Sequence, residues 1–120
     1  MMYNSLMTGI QRKQQLQQEL DRIIPILRDR YQPEKVIAFG SAIEGDVHEW
    51  SDLDLAIIKD TPKRFIDRLI EVALLVRSTI ATDYLVYTPK EFEEMARDNY
   101  FVRDEIIGKG KVVYEKNQTS

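Results

Sequence analysis

The segment Ala38–Ile58, AFGSAIEGDVHEWSDLDLAII, predicts both the fold and the chemistry of this chain. Gly40 and Ser41 follow a short apolar strand, and Asp52 and Asp54 stand two residues apart at the start of the next. Residues i and i+2 of a strand point to the same face of a sheet. Two carboxylates held side by side repel each other unless a cation lies between them, so the pair indicates a metal. Since a Gly-Ser turn lets backbone N–H groups approach a phosphate, the two features together predict a metal–nucleotide site.

Composition narrows the class of protein. With 120 residues, 43% apolar and 31% charged, the chain is long enough for one core, and we predict a single domain over residues 1–120. The formal net charge of −3 and the pI of about 5.2 argue against nucleic acid as the main partner. The lack of cysteine excludes disulfides, thiolate zinc sites and cysteine nucleophiles, and it is typical of a cytoplasmic protein. No apolar run reaches the roughly 18 residues that a membrane span needs.

An amphipathic helix is predicted over about residues 8–30. Pro25 is expected to kink or divide it, and the Gln-rich stretch 11–19 is expected to form its solvated face. Its apolar stripe consists of Leu16, Leu20, Ile23, Ile24 and Leu27.

The rest of the pattern predicts a small mixed sheet with flanking helices, an α/β (α+β) fold whose core spans about residues 31–114 before a polar tail at 115–120. Thr61 and Pro62 are expected to begin one helix, as N-cap and first helical residue, and Thr88 and Pro89 another. Strands are predicted at 35–39, 53–58, 82–88 and 111–114, and helices at 61–78, 89–97 and 101–107.

Three carboxylates are predicted to meet at one edge of this sheet. A crossover that contains a helix normally joins parallel neighbouring strands, so the second and third strands begin at the same edge. Asp52 and Asp54 stand at the start of the second strand and Asp83 at the start of the third. If the first strand runs antiparallel to the second, its end at Gly40 and Ser41 reaches that edge too. We therefore expect these five residues to converge.

This arrangement resembles the signature of the minimal nucleotidyltransferases of the DNA polymerase beta-like superfamily, over about residues 31–114. Ten residues separate Ser41 from Asp52, as in that signature, and the segment TDYLVY supplies the later aspartate. The resemblance implies the polymerase beta-like nucleotidyltransferase fold, with Asp52, Asp54 and Asp83 as catalytic residues and metal ligands. It also implies two Mg²⁺ ions, and a nucleotide- and phosphate-binding role for Gly40 and Ser41.

The resemblance further implies an enzyme that moves a nucleoside monophosphate, AMP from ATP, to a hydroxyl acceptor and releases pyrophosphate. Small members of the family are often antitoxins whose partners are HEPN-domain toxins, and some attach AMP to a tyrosine of the partner. Two hypotheses follow: a protein adenylyltransferase that acts as an antitoxin, and a weakly active or inactive binding module that neutralises its partner sterically. A small-molecule or RNA nucleotidyltransferase ranks below both, because the chain has no second domain and no basic stripe. Whether it forms homo- or hetero-oligomers stays open.

The sequence departs from the family pattern directly after the Gly-Ser turn. Ala42, Ile43 and Glu44 stand where many members carry Arg or Lys. A missing cation and an added anion should weaken nucleotide binding, unless Glu44 points to solvent.

A few further residues allow two interpretations each. The apolar run 72–76 is expected in the core, with a partner-facing side as the alternative. Trp50 is expected to anchor its loop, with base stacking as the alternative, and His48 is expected on the surface. The tyrosines Tyr84, Tyr87, Tyr100 and Tyr114 are expected to serve packing.

Overall fold

A computed structural model describes residues 5–117 of the protein. The predicted α/β fold is confirmed: helices flank both faces of one four-stranded mixed sheet. Among residues 5–117, none of the helices has the length and apolar character required to cross a membrane. The elements in chain order are α1 (Ser5–Ile26) with a π-helical extension (Leu27–Tyr31), β1 (Lys35–Phe39), α2 (Ser41–Glu44), β2 (Leu53–Ile58), α3 (Phe65–Val76), β3 (Thr82–Tyr87), α4 (Pro89–Asp98), a π-helix (Phe101–Gly108) and β4 (Lys111–Glu115).

The sheet has the strand order β3-β2-β1-β4. Strand β1 runs antiparallel to both β2 and β4, whereas β2 and β3 are parallel neighbours joined through α3. The parallel pair agrees with the prediction, the antiparallel pairing of β1 with β2 meets the condition stated for convergence, and β2 lies inside the sheet. Strands β1 and β2 match their predicted bounds residue for residue, while β3 ends one residue earlier and β4 one residue later than predicted. The starts of β2 and β3 and the end of β1 therefore lie at one edge.

Two apolar clusters cover the two faces of the sheet, because successive strand residues alternate between them. One face packs against α1 and α3 through residues such as Leu55 and Val72. The other packs against the π-helix 101–108 through residues such as Ala56 and Ile106. Asp54 has the same strand parity as Ala56, so its side chain lies on this second face.

The predicted stripe of α1 is confirmed, since Leu16, Leu20, Ile23 and Leu27 are buried and Ile24 is half-buried. The chain continues as an α-helix through Pro25 and widens to a π-helix two residues later. Proline lacks the N–H that would bond the preceding turn and its ring crowds that turn, so the regular pattern is weakened there. The expected break is therefore a change of helix type. Gln32, in the left-handed region at φ 56°, ends the helix by donating its N–H to Leu27 O.

The predicted start of α3 at Thr61 and Pro62 is wrong, because α3 begins at Phe65 and ends at Val76. Thr61 Oγ1 instead accepts the N–H of Lys63 at 3.2 Å and closes a local turn before the helix. The α4 prediction is confirmed. There the Thr88 hydroxyl accepts the N–H of Glu91, whose carboxylate in turn accepts the N–H of Thr88. This reciprocal capping fixes the first turn of α4.

Candidate active site

The structure places two of the predicted carboxylates directly beside each other. In the parallel register of β2 and β3, Asp54 is the partner of Asp83. On its other side, Asp54 is the antiparallel partner of Phe39, the last residue of β1. Asp52 stands one residue before β2, on the side of the strand that Asp54 also faces. Asp52 and Asp54 are half-buried and Asp83 is exposed. The predicted convergence at one sheet edge is therefore what the structure contains.

Gly40 connects the predicted phosphate turn to these carboxylates. Its φ of 81° is a left-handed conformation that favours glycine. A Cβ added at this position would push the Asp54 carboxylate aside, so glycine lets the turn pack closely against that carboxylate. The Gly40 carbonyl accepts the N–H groups of Ile43 and Glu44, each at 3.0 Å, which folds the turn into α2. Ser41 is the first residue of α2 and is half-buried next to this glycine.

The electrostatics of the paired carboxylates follow from their burial and proximity. Burial, which is the largest cause, raises the pKa of Asp54 to about 6 together with the charge of Asp83, a hydrogen bond with Asp83 and the charge of Asp52. The ionised form of Asp54 is thus penalised while no cation is near. A bound cation would reverse this penalty, because it favours ionised carboxylates.

The donor set fits a magnesium ion that binds together with a nucleotide. Within residues 5–117, no group of three or more His, Cys, Asp or Glu side chains is arranged to hold a metal by itself. Asp54 and Asp83 nevertheless offer adjacent carboxylates at an accessible edge. Mg²⁺ is usually bound through only one or two carboxylates, together with substrate phosphates and water. The arrangement therefore suits a metal whose remaining ligands come from a triphosphate.

The loop before Asp52 is held by contacts that sequence reasoning missed. Arg12, on α1, donates from Nε to the Ser51 carbonyl at 2.9 Å. The Ser51 hydroxyl is buried and accepts the N–H of His48 at 2.8 Å. Strand β2 then begins with the Leu53 N–H donating to the Ala81 carbonyl at 3.1 Å. No local signal marks Arg12, because its partner lies 39 residues away.

The prediction that residues 11–19 form a solvated face of α1 is wrong at Glu19. This carboxylate is only 3% exposed and accepts the Thr79 N–H at 2.6 Å. Arg22 donates to both of its oxygens, at 2.8 and 3.1 Å. The hydrogen bond from Arg22 is the main cause that lowers the pKa of Glu19 to about 2. Glu19 thereby ties α1 to the loop that leads into β3 and Asp83.

The aromatic residues of the loops differ from expectation. Trp50 does not anchor its loop, since 69% of it is exposed. Its ring stacks on exposed His48 with centroids 5.2 Å apart. Tyr100 is also exposed, with the Arg103 guanidinium 4.8 Å from its ring centroid, so packing does not explain it. The three other tyrosines named above are buried or half-buried, as predicted.

Glu44 is exposed, as the interpretation that it points to solvent expected. Glu44 Oε1 lies 3.9 Å from Lys109 Nζ, so a lysine from just before β4 accompanies the anion. Gly45 ends α2 at φ 90°, and a Cβ there would meet open space among the described residues, which fits a purely conformational role.

The fold and the site define the class of protein. A mixed sheet that packs a Gly-Ser turn against adjacent aspartates at one edge is the architecture of a small nucleotidyltransferase domain. The family described as Polymerase beta, Nucleotidyltransferase matches residues 21–119, and the chain belongs to this family. The predicted enzyme class, a nucleotidyltransferase, is thereby confirmed.

Individual proteins agree with this assignment. The chain is 36% identical over 92 residues to Probable protein adenylyltransferase MntA of Haemophilus influenzae, a match that covers 73% of this chain and 81% of that protein. Its fold is similar to the crystal structure of a candidate nucleotidyltransferase from Sulfolobus solfataricus, with a TM-score of 0.67, 18% identity and coverage of 92% and 90% of the two chains. It is also similar to a chain in the crystal structure of a mutant MntA-HpeT toxin-antitoxin, with a TM-score of 0.56, 20% identity and coverage of 82% and 74%.

Proposed function

We propose that the protein is a Mg²⁺-dependent adenylyltransferase that transfers AMP from ATP to a tyrosine hydroxyl of a HEPN-type toxin and thereby acts as its antitoxin. The observation that carries this proposal is the register pairing of Asp54 with Asp83, with Gly40 packed against Asp54. The similarity to a protein named as an adenylyltransferase supports AMP as the transferred group. The similarity in fold to a toxin-antitoxin structure supports a toxin as the partner.

In this proposal Asp52, Asp54 and Asp83 hold two Mg²⁺ ions. When bound, the ions would neutralise the charge that develops on the phosphoryl oxygens during in-line displacement. Gly40 allows the triphosphate to approach the backbone closely, and the Ser41 hydroxyl donates a hydrogen bond to a phosphate oxygen. The α-phosphate then lies at the carboxylates, where the bond to pyrophosphate breaks.

The exposure of Asp83 supports an acceptor that is supplied by another protein. Asp83 is exposed at the edge of the terminal strand β3, whereas its register partner Asp54 is half-buried. An acceptor hydroxyl carried by a second protein can therefore approach Asp83 from solvent. In this role the carboxylate of Asp83 would accept the proton of the attacking hydroxyl.

The test is label transfer from α-labelled ATP. The wild-type protein, Mg²⁺ and the product of the neighbouring reading frame should yield a labelled partner, and Asp54→Ala should abolish the label without unfolding the chain. Asp46→Asn is the matched control, because Asp46 is an exposed acid in the same connection and should leave transfer unchanged. A wild-type protein that neither transfers label nor binds ATP in calorimetry would contradict the proposal.

A second candidate function is steric neutralisation, favoured by an exposed apolar stripe on α3. Ile66, Ile70 and Leu74 follow one another at four-residue spacing and are 56%, 51% and 64% exposed. Residues at this spacing share one helix face, so they form a continuous surface that another protein can cover. The discriminating experiment asks whether a variant with Asp52→Asn and Asp54→Asn still neutralises the partner. Retained neutralisation supports steric action, and its loss supports adenylylation.

A further inference from the structure

The structure brings a cation to the Gly-Ser turn from a distant part of the chain. Lys109, between the π-helix and β4, has its Nζ 3.9 Å from Glu44 and 3.2 Å from Glu105. Glu44 belongs to the turn itself, because its N–H donates to the Gly40 carbonyl. The lysine is 53% exposed, so its ammonium can leave these carboxylates without unfolding anything.

The strand register explains why Lys109 reaches this position. In the antiparallel pairing of β1 and β4, Ala38 is the partner of Lys111. The segment just before β4 therefore lies near the end of β1, which leads into the Gly-Ser turn. Gly110 agrees with this placement, since a Cβ added there would lie 3.1 Å from the Ala38 carbonyl oxygen. The turn therefore has Asp54 on its β2 side and Lys109 on its β4 side.

The carboxylate of Asp54 on one side of the turn and the ammonium of Lys109 on the other suit the two ends of a bound triphosphate. The α-phosphate must lie at the carboxylates, where the reaction takes place. The rest of the triphosphate then passes over the turn toward β4. On the basis of the proposed function, we infer that Lys109 binds the β- and γ-phosphates of ATP, and that Glu44 holds its ammonium beside the turn until the nucleotide arrives. Lys109 thus replaces the cation that residues 42–44 lack.

The test compares ATP binding by Lys109 variants in calorimetry with Mg²⁺ and no acceptor. Lys109→Ala should raise the Kd for ATP roughly tenfold, as expected for the loss of a charge-assisted hydrogen bond, and Lys109→Arg should restore most of it. The Kd for AMP, which has neither phosphate, should stay unchanged. Lys111→Ala is the matched control, because Lys111 lines a separate groove beside Asp21 of α1 and should leave ATP affinity unchanged.

A double-mutant cycle separates direct phosphate binding from mere neutralisation of Glu44. If Lys109 contacts the phosphates, Lys109→Ala should still weaken ATP binding about tenfold in a Glu44→Gln background. If that loss disappears there, or if Lys109→Ala alone binds ATP like the wild type, Lys109 is not a phosphate ligand. Either result would leave the proposed function intact, whereas a wild-type protein that binds no ATP would overturn both.

Discussion

Replacing Asp54 by Asn should abolish nucleotidyl transfer and, at the same time, stabilise the protein in the absence of Mg²⁺. The stabilisation follows from the pKa of Asp54, which burial and the neighbouring carboxylates raise to about 6 from its ordinary 3.8. One pKa unit corresponds to about 1.36 kcal/mol, so the ionised carboxylate costs up to about 3 kcal/mol above pH 6. Because Asp54 is only half-buried, solvent screening reduces this cost to about 1–2 kcal/mol.

The effect has a definite pH dependence. A carboxyl whose pKa is higher in the folded than in the unfolded state binds extra protons in the folded state between about pH 4 and pH 6. Its stabilising contribution is present below about pH 4 and is lost as the pH rises through about 6. Since Asn does not titrate, the free energies of unfolding of the variant and the wild type should differ little at pH 4. The variant should be more stable by about 1–2 kcal/mol at pH 7.5.

The assay is urea unfolding followed by circular dichroism at both pH values, with Mg²⁺ removed by chelation. Asp46→Asn serves as the control, because this exposed acid should change stability at neither pH. Saturating Mg²⁺ and ATP should then stabilise the wild type but not Asp54→Asn, because only the wild type binds them productively. An Asp54→Asn protein that is no more stable than the wild type at pH 7.5, or whose advantage is the same at both pH values, would refute this account.

Three further predictions concern the turn, α1 and α3. Gly40→Ala should weaken ATP binding in calorimetry more than tenfold, because the Cβ of the new alanine would displace the Asp54 carboxylate. Gly45→Ala is the control, and it should lower the free energy of unfolding in urea by only about 1 kcal/mol. Glu19→Gln should lower the free energy of unfolding by about 2 kcal/mol at pH 7. Because the pKa of Glu19 is lowered to about 2, that deficit should vanish in unfolding curves as the pH falls from about 4.5 toward 2. Val72→Ala should lower the free energy of unfolding in urea by about 2 kcal/mol, and Leu74→Ala should lower it by less than about 0.5 kcal/mol. The difference is expected because Val72 is buried and Leu74 is exposed.

Specific outcomes would contradict each of these predictions. Wild-type ATP affinity in Gly40→Ala would show that the turn does not require close approach. A Glu19→Gln deficit that persists unchanged at pH 2 would exclude the ion pair as its cause. Equal costs for the two α3 substitutions would mean that the side chains do not differ in burial.

Local sequence signals were sufficient to predict many of the helices and strands of the fold. Strands β1 and β2 are short apolar runs bounded by turn residues, and their bounds follow from the residues themselves. Helix α4 begins where Thr88, Pro89 and Glu91 form a cap, because the interacting groups lie within one helical turn. The helical stripe of α1 is equally local. In each case the deciding pattern of residue types lies within one short segment of the chain.

Long-range contacts account for what sequence reasoning missed. Glu19 is buried because it meets Thr79, which lies 60 residues further along the chain. Helix α3 begins at Phe65 and not at the Thr61-Pro62 signal, and Arg68 fixes this start by donating to the Lys63 carbonyl and to Val86 on β3. Such partners are set by the packing of whole elements, so no local pattern predicts them.

By itself, the sequence determined that Asp52 and Asp54 share one face of a strand, because strand side chains alternate with a period of two. It also determined that a glycine turn precedes them. Only the tertiary structure decided that Asp83 lies opposite Asp54 and that Lys109 reaches Glu44 of the turn from the other side. Strand register decides both placements, and register depends on how the apolar faces of distant segments pack together.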